Sequence, residues 1–389
     1  QRWEKLQTLN PPPEIQNILT RQIAEWRGEP VPEAELQPVP EVAPQPVPEV
    51  TPQPAADGDA VISANISLSS DAAAALTSEA SAFVDEMVAE HGFEPSALIE
   101  LLAGAKRRQD ILDAISRPAE AKPWSQYRPI FVTSDRASEG VQFWNDNRLL
   151  LEQAEKEYGV PPEIIVAIIG VETRYGTHSG KYPVLDALAT LAFAYPKRAD
   201  FFRRQLEEFL LLSREEQVDL QSTKGSYAGA MGKPQFIPSS YRNYAVDFDN
   251  DGRRDLLHND ADVIGSVAAY FNQHRWRSGE PITSKASVTG DRHQRYLDAG
   301  MKPSATIAEL KQAGVQPEQA LPDDALSSLI LLEGEEGPEY WLGLHNFYVI
   351  TRYNHSNLYA MAVYQLSREI ARRADGAAQR ADRTGGIDG

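Results

Sequence analysis

The stretch PPEIIVAIIGVETRYG, residues 161–176, decides how the rest of the chain is read. From Ile164 to Val171 it holds only aliphatic residues, alanine and glycine, with no polar stripe. A helix apolar on every side lies inside a core. The paired prolines suit its first turn, where a missing N–H costs nothing. Glu172 stands at the end of this hydrocarbon, with Ile168 and Ile169 one turn behind it on the same face. Burial disfavours a charged carboxylate, and so does the negative end of a helix. The expectation is a carboxyl group that keeps its proton toward neutral pH, as a general acid must. A glutamate paired with Arg174 or another cation is the alternative, and this helix alone does not separate the two.

Outward from that helix the pattern stays helical. Upstream, ASEGVQFWNDNRLLLEQAEKEYG (137–159) is amphipathic, and residues 78–116 repeat apolar positions at three-to-four spacing, with breaks at His91-Gly92 and at Pro118. Downstream, helices continue to about residue 275. Strand-like runs follow in ALSSLILLEG, EYWLGL and NFYVITR, separated by EGEEGP and HN, and a last helix, SNLYAMAVYQLSREIARRA, precedes a polar tail. Residues 29–56 repeat QPVPEV and lack the apolar content for a core; as a polyproline II spacer they would reach roughly 85 Å at about 3.1 Å per residue. A short helix is expected at 13–28.

The 389 residues, 42% of them hydrophobic, are enough for substantial cores. A net charge of -18 and a pI near 4.9 exclude a polyanionic nucleic acid as the natural partner. The absence of cysteine excludes disulfides, zinc thiolates and a cysteine nucleophile. No apolar run is long enough to span a bilayer. The chain begins at Gln1, consistent with removal of a leader; a lipidated cysteine just upstream would make it an outer-membrane lipoprotein.

Three further stretches carry chemistry. SYAGAMGKPQFIPSSY (226–241) places Gly229 and Gly232 three apart and offers Ser226, Gln235 and Tyr241 as neutral donors and acceptors, as in a sugar-binding wall or in a tight turn around Met231. Tyr353, Asn354, His355 and Tyr359 cluster ahead of the last helix, suited to sugar stacking or to a core edge. DFDNDGRRDLLHNDAD (247–262) opens like an EF-hand, with Asp247, Asp249, Asp251 and a sixth-position Gly252, but its twelfth position is His258 rather than a bidentate glutamate. A solvated acidic turn is the alternative there.

In this order and spacing, GVETRYG, SYAGAMGKPQFIPSSY, AVDFDNDGRRDL, DVIGSVAAYF and ITRYNHSNLYAMAVYQL resemble the B-type lytic murein transglycosylases over roughly residues 70–372. The resemblance implies a mainly α (α+β) fold: a lysozyme-like core with an added helical domain, an EF-hand-like loop and a small antiparallel β meander. The corresponding divisions are a disordered arm and linker at 1–67, a helical domain at 68–145 to which the chain returns around 301–325, a catalytic core at 146–372 with the loop region at 226–300 and the meander at 326–351, and a disordered tail at 373–389. It further implies that Glu172 is the single catalytic acid/base and that Ser226, Gln235, Tyr270, Tyr353, Asn354 and Tyr359 line the glycan groove. Lys197 and Arg198 would meet stem-peptide carboxylates. Asp247, Asp249, Asp251, the Arg253 carbonyl and Asp262 would hold a structural calcium or sodium ion, with no cofactor for catalysis.

The expected reaction is non-hydrolytic cleavage of the MurNAc–GlcNAc β-1,4 bond with a 1,6-anhydromuramoyl product, because the sugar's own 6-hydroxyl replaces water and the second carboxylate of ordinary glycosidases. A non-catalytic murein-binding scaffold and a lysozyme-type hydrolase are the alternatives. The expected setting is the periplasm, with peptidoglycan strands and stem peptides as partners and the proline-rich arm as a docking point for cell-wall synthesis or division proteins.

Overall fold

Apolar spacing builds the first half of the chain into successive helices: α1 (Ser78–His91), α2 (Pro95–Gly104), α3 (Gln109–Ser116), α4 (Trp124–Phe131), α5 (Ser134–Asp146), α6 (Arg148–Tyr158) and α7 (Pro162–Thr173). The structure is a computed structural model; it describes residues 76–116 and 122–385, with side chains up to residue 376. The proline-rich arm and the helix expected at 13–28 lie outside the described residues.

After α7 the chain forms β1 (Tyr182–Pro183), α8 (Val184–Ala194), a 3-10 turn (Pro196–Arg198), α9 (Ala199–Glu216), β2 (Lys224–Gly225), α10 (Pro238–Tyr244) and α11 (Asp260–Gln273). Then come β3 (Thr283–Val288), α12 (Gln294–Leu297), β4 (Ala305–Thr306), α13 (Ile307–Gln312), β5 (Val315–Pro317), β6 (Leu326–Gly334), β7 (Gly337–Gly343), α14 (His345–Tyr353) and α15 (Asn357–Gly385). β1 and β2 form a two-stranded antiparallel ribbon, and the larger antiparallel sheet has the order β4-β6-β7-β3-β5.

The 161–176 stretch folds as its composition requires. Every residue of α7 is buried except Glu163 and Glu172. It lies in one continuous core running from Phe83 on α1 to Ile370 on α15. Among the described residues the helical unit expected at 68–145 has no separate core: Phe83, Ile111, Trp124 and Phe143 pack into the same cluster as Ile164 and Val363.

Three other expectations are corrected. NFYVITR is helical, as α14, although valine, isoleucine and threonine favour strands locally. Its buried residues Asn346, Phe347, Val349, Ile350, Thr351 and Tyr353 recur at three-to-four spacing, so packing outweighs propensity. Residues 301–325 do not return to the helical region; with β4, α13 and β5 they join the sheet, over a second small core of Ala286, Ala305, Ile307, Leu310, Val315, Leu329 and Leu342. Finally, the polar tail expected from 373 continues α15 as far as Gly385.

α7 accommodates its neighbours through Gly170. A Cβ there would lie 2.5 Å from the Tyr175 hydroxyl and 2.7 Å from the adjoining ring carbon, and a Cβ on Gly140 of α5 would meet the same hydroxyl at 2.5 Å. Tyr175 has little room to retreat, because its hydroxyl donates to the Arg136 carbonyl at 2.8 Å and its ring stacks on Phe143. Gly170→Ala should thus be destabilising: overpacking costs about 1–3 kcal/mol, against a helix-propensity gain of up to ~1 kcal/mol. Thermal unfolding should show a lowered midpoint; an unchanged or raised midpoint would mean that Tyr175 can move aside.

Candidate active site

Three consecutive residues after α7 occupy the left-handed region: Arg174 at φ 48°, Tyr175 at φ 59° and Gly176 at φ 91°. For the two non-glycine residues this costs of order 1 kcal/mol each, and their side chains supply the compensation. Arg174 makes two hydrogen bonds to Glu139, at 2.7 and 2.6 Å. Thr173 donates to the Lys233 carbonyl at 2.8 Å, tying the helix end to the 226–241 wall. Arg174 is therefore a partner of Glu139 on α5.

Glu172 is half-buried and accepts a hydrogen bond from the Tyr359 hydroxyl at 2.5 Å. Tyr359 is 2% exposed. Burial, followed by the charge of Glu172, holds its phenol well above the usual range, so it acts as a donor. Burial and then Glu172 also push up the Tyr127 phenol on α4, which places that ring in the field of the same carboxylate. Tyr127 has no counterpart among the sequence-derived site residues, because Trp124, Tyr127 and Phe131 form a helical stripe that reads as ordinary core.

The other expected residues divide into those that face the site and those that support it. Tyr353 is parallel to Tyr359 at 6.5 Å between ring centroids, but its hydroxyl donates to the Pro234 carbonyl at 2.6 Å. The Tyr270 hydroxyl donates to the Arg352 carbonyl at 2.5 Å, and its ring stacks on His274 at 4.1 Å. Both tyrosines are buried and hold backbone in place. Asn354 is buried with an Oδ1 that has no hydrogen-bond partner among the described residues.

The 226–241 wall is shaped by its own polar groups. Ser226 Oγ accepts from the Ala228 and Ala230 N–H groups. Gln235, at φ 51°, donates to the Gly232 and Ser179 carbonyls. Tyr241 sits beneath it, fully buried, donating to the Arg254 carbonyl at 2.6 Å. Lys197 is exposed, whereas Arg198 is half-buried with its guanidinium 4.3 Å from the Phe201 ring centroid; burial lowers its pKa from the usual range.

In the acidic loop, carboxylate oxygens of Asp247, Asp249 and Asp251 come within 4.8 Å of one another. Asp262 does not join them. It is fully buried, and its two oxygens accept the Phe248 N–H at 2.8 Å and the Asp255 N–H at 2.7 Å. Burial, with the charges of Asp249 and Asp247 adding to it, pushes its carboxyl up to about 6 against those two donors. Spacing alone does not distinguish a carboxylate that closes an ion site from one that ties down a loop. The Arg253 side chain donates to Gln217.

With this geometry in hand, comparison with known proteins is direct. The Transglycosylase SLT domain profile matches residues 75–368. The chain belongs to this transglycosylase family. The membrane-bound lytic murein transglycosylase B of Escherichia coli K12 is 47% identical over 299 residues, covering 74% of this transglycosylase and 81% of the relative. Lytic transglycosylase SltB1 of Pseudomonas aeruginosa, in its catenated form, superposes with a TM-score of 0.75 at 53% identity, covering 77% of this chain and 99% of that one. Escherichia coli Slt35, solved in complex with calcium, gives 0.71 at 46% identity, covering 76% and 94%. Pseudomonas aeruginosa SltB3, solved with NAG-NAM-pentapeptide, gives 0.67 at 32% identity, covering 75% and 78%. The transglycosylase is thus an enzyme with a lysozyme-like fold, and among its described residues no helix is long and apolar enough to cross a membrane.

Removing the Tyr359 hydroxyl deprives Glu172 of a charge-assisted donor worth about 1.5–3 kcal/mol. Tyr359→Phe should therefore lower kcat by roughly 10- to 100-fold while keeping the far-UV spectrum and melting cooperativity. Unchanged turnover in a folded variant would detach Tyr359 from the chemistry.

Proposed function

We infer that the enzyme cleaves the β-1,4 bond between MurNAc and GlcNAc in peptidoglycan, with Glu172 as its single acid/base and a 1,6-anhydromuramoyl end as product. The observation that carries this reading is the carboxyl group at the end of a buried apolar helix, oriented by the Tyr359 donor. Glu172 would protonate the bridging oxygen as the C1–O bond breaks, and the substrate's N-acetyl carbonyl oxygen would stabilise C1. The resulting carboxylate would then take the proton of the 6-hydroxyl as O6 bonds to C1. The proton returns to Glu172 and no water is consumed. Intramolecular attack makes a second protein carboxylate unnecessary, since effective molarities of about 10⁵ M or more are available to a well-placed hydroxyl.

Ser226 and Gln235 supply neutral polar groups of the kind a glycan strand needs, with Tyr353 and Tyr359 supporting them from the core and the Asn354 Oδ1, without a hydrogen-bond partner among the described residues, offering an acceptor. Lys197 and Arg198 suit stem-peptide carboxylates. Such a substrate places the enzyme in the periplasm.

The donor set of Asp247, Asp249 and Asp251 fits a hard cation such as calcium: three carboxylates converge, and Gly252 at φ 93° turns the chain with open space around it. A bound ion would neutralise the repulsion among these groups and stiffen the segment between α10 and α11. Asp262 would reinforce the same segment from beneath through its two N–H bonds.

Three measurements check these readings. Glu172→Gln should lower murein turnover by at least about 10²-fold without loss of glycan binding, and wild-type products analysed by mass spectrometry should be lighter by one water than hydrolysis products. Hydrolysed ends would assign the enzyme to the lysozyme-type reaction instead. Calcium should raise the melting temperature of metal-stripped protein, as any ligand of the native state does, and Asp247→Ala with Asp251→Ala should remove that response. A wild-type protein indifferent to both calcium and chelator would rule out the ion.

A further inference from the structure

A band of cations and phenol rings lies along the β1–β2 ribbon, whose Gly225 bridges to Met231 of the 226–241 wall. At its outer end the Tyr182 ring lies under two cations, the Arg108 guanidinium at 5.7 Å and Lys181 Nζ at 5.4 Å from its centroid. Arg108 is already committed, donating to both oxygens of Asp110 and facing Asp186 at 3.9 Å, so it fixes the ring. Lys181 is exposed and forms no ion pair with a described residue. The β1–β2 ribbon sets Lys224, also exposed and unpaired among the described residues, opposite Pro183.

The band joins the groove through packed backbone. A Cβ on Gly180 would fall 2.2 Å from the Gly225 carbonyl, and Gln235 donates to the Ser179 carbonyl. Tyr227, next to Ser226, is half-buried; burial raises its phenol, and the positive charge of Arg198 acts against that rise. In a protein of net charge -18, Lys181 and Lys224, exposed and outside any ion pair with a described residue, lower the repulsion an anionic ligand meets.

We propose that Lys181 and Lys224, with the Tyr182 and Tyr227 rings between them and Arg198, form a second anchoring subsite for the carboxylates of the stem peptide, beyond the one assigned to Lys197 and Arg198. The inference rests on the murein-cleaving function proposed above. The rings cover the apolar parts of the peptide, while the lysines, point charges on flexible stems, follow carboxylates at variable positions.

The test is binding, measured by titration calorimetry in a Glu172→Gln background so that nothing is turned over. Lys181→Gln with Lys224→Gln should weaken binding of peptide-bearing GlcNAc–MurNAc fragments several-fold and leave binding of the same fragments, stripped of peptide by an amidase, unchanged. The difference should vanish at high salt. Equal binding by variant and parent overturns the subsite, as does an equal loss on both ligands. Product masses from wild-type enzyme on stripped strands report separately on the cleavage reaction, so a failure of one reading is not mistaken for a failure of the other.

Discussion

The hydrogen bond from Tyr359 to Glu172 is the contact on which the arrangement of this enzyme turns, because it joins the last turn of α7 to the first turn of α15. Both helices are buried along the contact, and neither can shift without moving one end of the bond. The next three residues secure the same point from other directions. Thr173 reaches the 226–241 wall, Arg174 reaches Glu139 on α5, and Tyr175 wedges under α7 between two glycines. Four successive side chains thus engage α15, the 226–241 wall and, twice over, α5. A regular helix does not distribute them this way; the left-handed backbone after Thr173 does, and the contacts offset its strain.

The placement of Glu172 was legible in the sequence because eight uninterrupted apolar residues have one physical solution. Less of the surrounding site was legible, for identifiable reasons. A tyrosine that lines a groove and one that supports it from behind share the same helical spacing, so Tyr353 and Tyr270 did not disclose that their hydroxyls bond to main chain. Tyr127 was hidden for the converse reason, sitting in an aromatic stripe that reads as core. NFYVITR misled because β-branched composition describes a half-buried surface as well as a strand, and here the surface is that of a helix.

The acidic loop shows how carboxylates of one composition take different tasks. Asp247, Asp249 and Asp251 turn toward one another, with the loop's own N–H groups bonded to them. Asp262 turns inward and joins the two limbs of the loop, at Phe248 and at Asp255. Its desolvation is the larger cost, yet two buried backbone donors would otherwise be stranded. The outer carboxylates are suited to an ion, and the inner one holds the loop's shape.

The small core beneath the sheet has its own consequence. Ala286, Ile307, Leu310, Val315, Leu329 and Leu342 pack among themselves, apart from the apolar mass around α7. A region with a private core opens as a cooperative unit of its own, with a free energy below that of global unfolding. Ile330 and Leu332 of β6 tie the middle of the sheet to the larger core, so it is the amides of β3 and β5, toward the far edge, that exchange with solvent on a faster clock than those of α7.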